Sequence, residues 1–200
     1  SLHKSEWFKP GTLKSIAGYF SIKPRSVIAT YDSEIADAVR NAAIDLKPDI
    51  IIGSTLGSVE YIPHDLGIPT IFEEHNCEFG IIKRSSASDG FAGNLRWRKQ
   101  ALYEANACKQ FSKVVMVTKG DVEEMKTFAP DIDNMEVVAN GVDTEHYNPD
   151  LWKPDPNFLV YNGALTYGAN LEAVKYYVKN IYPLLKDKCP SLKLNITGSY

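Results

Sequence analysis

Asp49-Ile50-Ile51-Ile52-Gly53 is a continuously apolar run closed by a glycine. Such a run reads as a strand buried on both faces, the pattern of a parallel sheet. The chain on either side repeats the theme. Upstream, Ser33 is placed to cap a helix with Ile35, Ala38, Val39, Ala42, Ala43 and Leu46 on one stripe, and Lys47-Pro48 stops it. Earlier still, Val27-Ile28-Ala29-Thr30-Tyr31 suits a short strand, and residues 1–24 an arm with one short helix. Downstream, a helix fits from Leu56 to about Asp65, ended by Gly67 and Pro69. Pro69-Thr70-Ile71-Phe72-Glu73 is the next strand, with Glu74-His75-Asn76 at its exit.

The alternation continues. Residues 85–94, with Ser, Gly and Asp, predict a loop before a long helix from about Leu95 to Phe111. Val114 to Val117 is a short apolar strand. Thr118 caps a helix over 120–128, with Asp121 in the box position three residues on. Met135 to Ala139 is the last strand of this half. Residues 148–157 carry Pro149, Pro154 and Pro156 and read as a linker. Beyond it lie a strand over 158–162, a helix over 170–187 and a strand over 192–197. On that helix Leu171, Val174, Val178, Ile181 and Leu185 step by alternate threes and fours, and Pro183 should kink or end its last turn.

Strand–helix alternation at this spacing predicts an α/β fold with a doubly wound parallel sheet and right-handed crossovers. The expected organisation is an incomplete domain over 1–147, a linker over 148–157 and the start of a second domain over 158–200. Two such units joined by a turn at Asn140-Gly141-Val142-Asp143 suggest a cleft between them. The second unit is a single β-α-β element, too small to bury a core of its own. Both ends look cut, so the expectation is an internal piece of a longer protein, itself inactive as an enzyme. Leu159, Leu192, Leu194 and Ile196 are expected on a bare apolar face that favours self-association.

Composition excludes several classes. Apolar residues are 44% and charged residues 24%, ordinary for a globular domain. A net charge of −3 gives no basic field for nucleic acid. Cys77, Cys108 and Cys189 are widely spaced with no CxxC, which argues against a disulfide framework or a zinc site and for reduced thiols in the cytoplasm. No apolar run approaches the roughly 20 residues of a membrane helix.

Candidate site residues cluster at strand exits, the ligand edge of open α/β sheets. They are His75, Asn140-Gly141, Gly163 and Gly198. A strand-end glycine lets backbone approach a phosphate, though it serves as often as a plain turn residue. His75 can bond a sugar hydroxyl or phosphate with Asn76 beside it, or simply bond local backbone. Of Glu73 and Glu74, one must leave the buried face, and a rim role fits better than acid–base work. Glu104, at helical spacing from Trp97, Ala101 and Cys108, reads as a solvated helix carboxylate rather than a buried paired one. Lys83, Arg84, Arg96, Arg98 and Lys99 bracket a polar loop; they suit an anionic acceptor or an acidic lipid surface, against the plainer reading of a solvated charged face.

Three motifs in order resemble one family. Phe72-Glu73-Glu74-His75-Asn76-Cys77-Glu78 looks like a strand-end histidine motif. Val137-Val138-Ala139-Asn140-Gly141-Val142-Asp143, followed by Tyr147-Asn148-Pro149, looks like an interdomain crossing, with Ala139 where proline is usual. Tyr161-Asn162-Gly163-Ala164-Leu165-Thr166-Tyr167-Gly168-Ala169-Asn170 looks like the start of a donor domain. Over about residues 27–198 the chain resembles the retaining, two-Rossmann-domain (GT-B) glycosyltransferases of group 1, or family 4. The resemblance implies a Rossmann-like sheet and sugar transfer from a nucleotide diphosphate donor to a glycan or lipid-linked acceptor. It implies no metal and no cofactor beyond that co-substrate, and a site at the cytoplasmic face of a membrane. His75 would be catalytic; Gly163, Ala164, Leu165, Asn140 and Gly141 would bind donor; Asn76, Lys83 and Arg84 would bind acceptor. The loop at Thr166-Tyr167 departs from the family in lacking a basic residue for the diphosphate. A GT-B sugar-nucleotide epimerase and a non-catalytic sugar- or nucleotide-binding protein are the alternatives.

Overall fold

Strands β1 (Ile51–Ser54), β2 (Thr70–Glu74), β3 (Lys113–Met116) and β4 (Met135–Val137) lie side by side in chain order, every neighbouring pair parallel. The structure, a computed structural model, describes residues 11–86, 88–151 and 153–199 and divides into compact units at Gly141 and Val142. The first unit is the Rossmann-like α/β arrangement that strand–helix alternation predicts.

The core occupies one face of this sheet. β2 buries Thr70, Phe72 and Glu74 and leaves Ile71 and Glu73 half-exposed; β3 likewise buries Val114 and Met116. Helix α5 (Gly90–Gln110) turns Ala101, Ala105 and Cys108 inward, small residues that let a helix come close. Phe72 stacks on Phe111 at 5.1 Å between ring centroids, and Phe79, Met125 and Ile132 complete the cluster. Each large apolar side chain so buried contributes about 1.5–3 kcal/mol. Burial of β1 on both faces is not found: Ile52 is 62% exposed, because β1 is an edge strand of the described sheet.

Several local expectations are corrected. Residues 27–31 are helical, within α2 (Arg25–Thr30), the second of two short helices after α1 (Leu13–Ala17). Pro24 sets the turn into it, and Arg25 donates back to the Ser15 carbonyl and hydroxyl, which outweighs the strand preference of Val27 and Ile28. Residues 1–10 of the expected arm lie outside the described residues. Asp32 rather than Ser33 caps α3 (Ser33–Leu46), accepting from the Glu34 amide at 2.9 Å, and Ala42 and Leu46 of the predicted stripe are exposed. The helix expected from Leu56 is two 3-10 turns, Leu56–Tyr61 and His64–Leu66, split because Pro63 holds Ile62 extended. Helix α4 (Glu78–Ser85) was not foreseen, and α5 starts at Gly90, so little of the predicted loop remains. A Cβ at Gly93 would stand 2.6 Å from the Ser86 carbonyl and 2.8 Å from Asp89 Cβ, so glycine there lets the short connection from α4 fold against the first turn of α5. Helix α6 (Lys119–Phe128) begins as predicted, with Thr118 Oγ1 accepting from the Asp121 amide.

The second unit is one β-α-β element. β5 (Phe158–Asn162) pairs in parallel with β6 (Lys193–Thr197). Between them run α7 (Gly168–Tyr176), a π-helical stretch (Tyr177–Ile181) and α8 (Tyr182–Lys188). Pro183 therefore opens α8 instead of breaking its last turn; the wider π turn accommodates the missing amide. Helix α7 starts two residues before Asn170. Of the residues expected on the exposed face Ile196 is exposed, whereas Leu192 is buried and Leu159 and Leu194 are half-buried; Phe158 and Val160 are the other exposed apolar residues of the two strands.

Candidate functional site

Parallel pairing of β1 and β2 puts Ser54 opposite Glu73 at the carboxyl edge of the sheet, with His75 one step beyond. Period-two alternation then turns Glu73 and His75 to the open face and Glu74 to the core. His75 Nε2 lies 3.1 Å from Ser54 Oγ and 3.5 Å from Glu73 Oε2, and its side chain is 49% exposed. Ser54 and, secondarily, His75 hold the Glu73 carboxyl below its usual range. Thr55, next to Ser54, has φ +64°, a conformation that side-chain-bearing residues rarely adopt; its amide donates to the Glu73 carbonyl at 2.9 Å. The edge thus presents an accessible imidazole held by neighbours on two strands, suited to donate to or accept from a bound hydroxyl.

Beneath this turn lie two carboxyls that sequence reasoning placed elsewhere. Glu74 is 2% exposed and Glu104, from the middle of α5, is fully buried. Burial, then the charge of Glu104, pushes Glu74 up to about 9. Burial pushes Glu104 up to about 8, opposed by the Gln100 amide that donates to its Oε1 at 3.0 Å. The backbone amides of Glu78 and Phe79 also face Glu104 and oppose the rise. Neither reaches normal hydrogen-bond geometry, and one oxygen of each carboxyl, Oε2, has no partner. Glu104 is therefore the buried carboxylate, not the solvated one, and Glu74 is no rim residue. The signal that could have found them is their stripe: Gln100, Ala101, Glu104, Ala105 and Cys108 form the same buried face.

The turn after His75 is tied to α6 as well. The Cys77 amide donates to Asp121 Oδ1 at 3.3 Å, and Thr118 Oγ1 bonds Asp121 Oδ2. Burial pushes the Cys77 and Cys108 thiols up, so both stay protonated. Asn76 is exposed beside His75.

Lys83 and Arg84 stand at the other end of α4. Lys83 Nζ lies 5.2 Å from the Trp97 ring centroid, and Arg84 pairs with Glu124 at 3.0 Å. With Ser86, Gly90 and Asn94 they line a surface cleft of about 410 Å³. Arg96 bonds Asp89 at 2.8 Å, Lys99 donates to the Gly18 carbonyl, and Arg98 lies over the Trp97 ring. Asn140 and Gly141 follow β4 on the same carboxyl edge as His75 and are exposed. Asp143 accepts from the amides of Glu145 and His146 at 3.0 Å each, which folds the turn after them.

In the second unit the strand-end loop is closely built. The Gly163 amide donates to the Thr197 carbonyl at 2.9 Å, and the Leu165 amide to the Ser199 carbonyl at 2.8 Å. Those two amides are therefore occupied. The Ala164 carbonyl accepts from Asn170 Nδ2 at 3.1 Å, so Asn170 reaches back from inside α7 to fasten the loop. No side chain caps α7 at Tyr167. Gly198, at φ +134°, lets this loop close: a Cβ there would lie 2.3 Å from the Gly163 carbonyl oxygen.

Among the described residues no cluster of His, Cys, Asp and Glu is placed to hold a metal ion, and no helix is long and apolar enough to cross a membrane. Residues 14–146 match the model described as Glycosyltransferase Family 4. No curated protein matches the chain.

Proposed function

Because the chain belongs to glycosyltransferase family 4, we propose that it moves a sugar from a nucleotide diphosphate donor to a glycan or lipid-linked acceptor with retention at the anomeric carbon. The observation that carries this reading is His75, exposed at the exit of an inner parallel strand and bonded to Ser54 of the neighbouring strand. A ring so held offers one nitrogen to a sugar hydroxyl while Ser54 and Glu73 fix its plane. Rate then comes from positioning and from stabilising the leaving diphosphate, with no protein–metal step. The uncapped amides at the start of α7 would receive the diphosphate, since a helix N-terminus attracts an anion, with the Ala164 amide beside them in a loop whose Gly163 and Leu165 amides are already engaged. Asn140 and Gly141 would support donor, and Asn76 acceptor, from the carboxyl edge of the first unit. Lys83 and Arg84, at the far end of α4, would serve an extended or lipid-linked acceptor at a membrane face in the cytoplasm.

The test is made in the natural full-length protein supplied with a panel of nucleotide diphosphate sugars. NMR of the product should show the donor's anomeric configuration preserved. His75→Ala should lower turnover more than about tenfold with an unchanged circular dichroism spectrum. Near-normal activity in that variant removes His75 from the mechanism, and inverted product removes retention.

A further inference from the structure

Two hollows flank one aromatic ring beside the His75 edge of the first unit. The first, of about 180 Å³, lies between α2, the 3-10 turn Leu56–Tyr61 and the start of α4; Ser26, Tyr31, Glu60, Tyr61 and Glu78 face it. The second, of about 290 Å³, is lined by Lys23, Val27, Ile28, Tyr31 and Glu60. Val27, Tyr31 and Glu60 belong to both, so the hollows are two lobes of one groove. The Tyr31 ring stacks on Tyr61 at 5.7 Å with 10° between their planes. Tyr61 lines the first lobe and not the second, so Tyr31 stands between the two.

The walls are held from behind. The Tyr61 hydroxyl donates to the Thr30 carbonyl and accepts from the Asp32 amide, at 3.2 Å each. Glu60 accepts from the Tyr103 hydroxyl of α5 at 3.0 Å, and its other oxygen pairs with Lys23. The groove is therefore preformed. The Ser26 hydroxyl and the Glu78 carboxyl, in contrast, have no hydrogen-bond partner or ion pair among the described residues. Chain connectivity sets the groove next to His75. Glu78 follows His75 by three residues, at most about 11 Å of extended chain. Ser54, whose hydroxyl lies 3.1 Å from His75 Nε2, is two residues before Leu56, another wall residue.

A sugar ring has apolar C–H faces and a hydroxyl edge. The groove offers the complement, an aromatic ring beside an unpaired hydroxyl and an unpaired carboxylate. Each lobe alone falls short of the roughly 300 Å³ at which whole small-molecule sites begin, so each suits a single ring. We propose that this groove is the acceptor subsite and that it selects a glycan of at least two rings. The terminal ring lies in the first lobe, where Ser26 and Glu78 bond its hydroxyls and direct one toward His75. The next ring lies against Tyr31 in the second lobe. This rests on the proposed sugar transfer at His75.

Gly57 supplies the decisive variant. It lines the first lobe, and a Cβ there would meet Thr55 Oγ1 at 3.9 Å and nothing closer, so a side chain can enter the lobe without moving the backbone. The experiment uses the natural full-length protein as wild type, Gly57→Leu, Tyr31→Ala and Tyr31→Phe. Acceptors are the methyl glycosides of glucose, galactose and N-acetylglucosamine, their 1,4-linked disaccharides, and a polyisoprenyl phosphate that carries no glycan. In wild type a disaccharide should exceed the matching monosaccharide in kcat/KM by at least about tenfold. Tyr31→Ala should lose that gain and Tyr31→Phe keep it. Gly57→Leu should raise the acceptor KM at least about tenfold with the donor KM within about twofold. With 3-fluorotyrosine in the protein, fluorine NMR should show the disaccharides shifting Tyr31 and Tyr61 in wild type and not in Gly57→Leu. Should Tyr31→Ala fail to fold, Gly57→Leu still decides. Equal use of mono- and disaccharide, an unchanged acceptor KM in Gly57→Leu, or turnover with the polyisoprenyl phosphate alone overturns the proposal. Absence of sugar transfer in wild type would instead sink the proposed function; the fluorine spectra would still judge the groove, and no shift of Tyr31 with any saccharide overturns it.

Discussion

Replacing Glu74 by glutamine should stabilise the first unit, and by more as pH rises. In the fold the carboxyl titrates at about 9, because it is buried beside Glu104; in the unfolded chain it returns to 4.5. At pH 7 folding must therefore place a proton on a group that would otherwise be ionised. The gap of two and a half pH units, at 1.36 kcal/mol per unit, makes this cost about 3 kcal/mol. A folded-state value above the unfolded one means that the carboxyl's stabilising contribution is complete below 4.5. It is lost progressively as pH climbs to about 9. Glutamine has no proton to take up and keeps nearly the same shape. Since Glu104 shares the same pocket and part of the cost, a gain of about 1–3 kcal/mol at pH 7 is expected, shrinking toward zero near pH 4.5. Urea unfolding by circular dichroism at several pH values measures it, with hydrogen exchange of β2 and β3 amides to isolate the first unit. Wild type and variant with parallel pH dependence would refute the reasoning, since the carboxyl would then ionise in the fold without penalty.

Three further outcomes follow from local geometry. Gly198→Ala should cost about 2–4 kcal/mol in the second unit, because φ is +134° and the new carbon would press on the Gly163 backbone; unchanged exchange protection in β5 and β6 would contradict this. Gly93→Ala should lower stability by about 1–2 kcal/mol despite better helix propensity, since the methyl would meet the Ser86 carbonyl; a raised Tm would show that α4 and α5 separate without strain. Thr118→Ala should cost about 1 kcal/mol by uncapping α6, and it should speed exchange of the Cys77 amide, which Asp121 holds; the same exchange rate in both proteins would uncouple the cap from the His75 turn.

Where neighbours in sequence decide the outcome, the amino-acid sequence by itself determined this protein. Thr118 and Asp121 are three residues apart, and their cap forms from one turn of chain. The exit of β2 at His75 was legible for the same reason: an apolar strand followed by polar residues marks a sheet edge without reference to other elements. Three strand–helix repeats were enough for the α/β class. Misreadings arose where distant groups outbid local preference. Val27 and Ile28 favour a strand, yet Pro24 and the Arg25 bonds to Ser15 hold them in a helix. Gly90 and Gly93 read as loop, yet both lie inside α5, where the turn at Ser86 and Asp89 folds too close to position 93 for a side chain. Glu104 reads as a solvated helix residue because most glutamates are; its burial depends on β2, α4 and α5 converging on one point. Tertiary structure alone decided that, since the free energy of a carboxyl is set by the solvent and charge around it, and those come from residues far away along the chain.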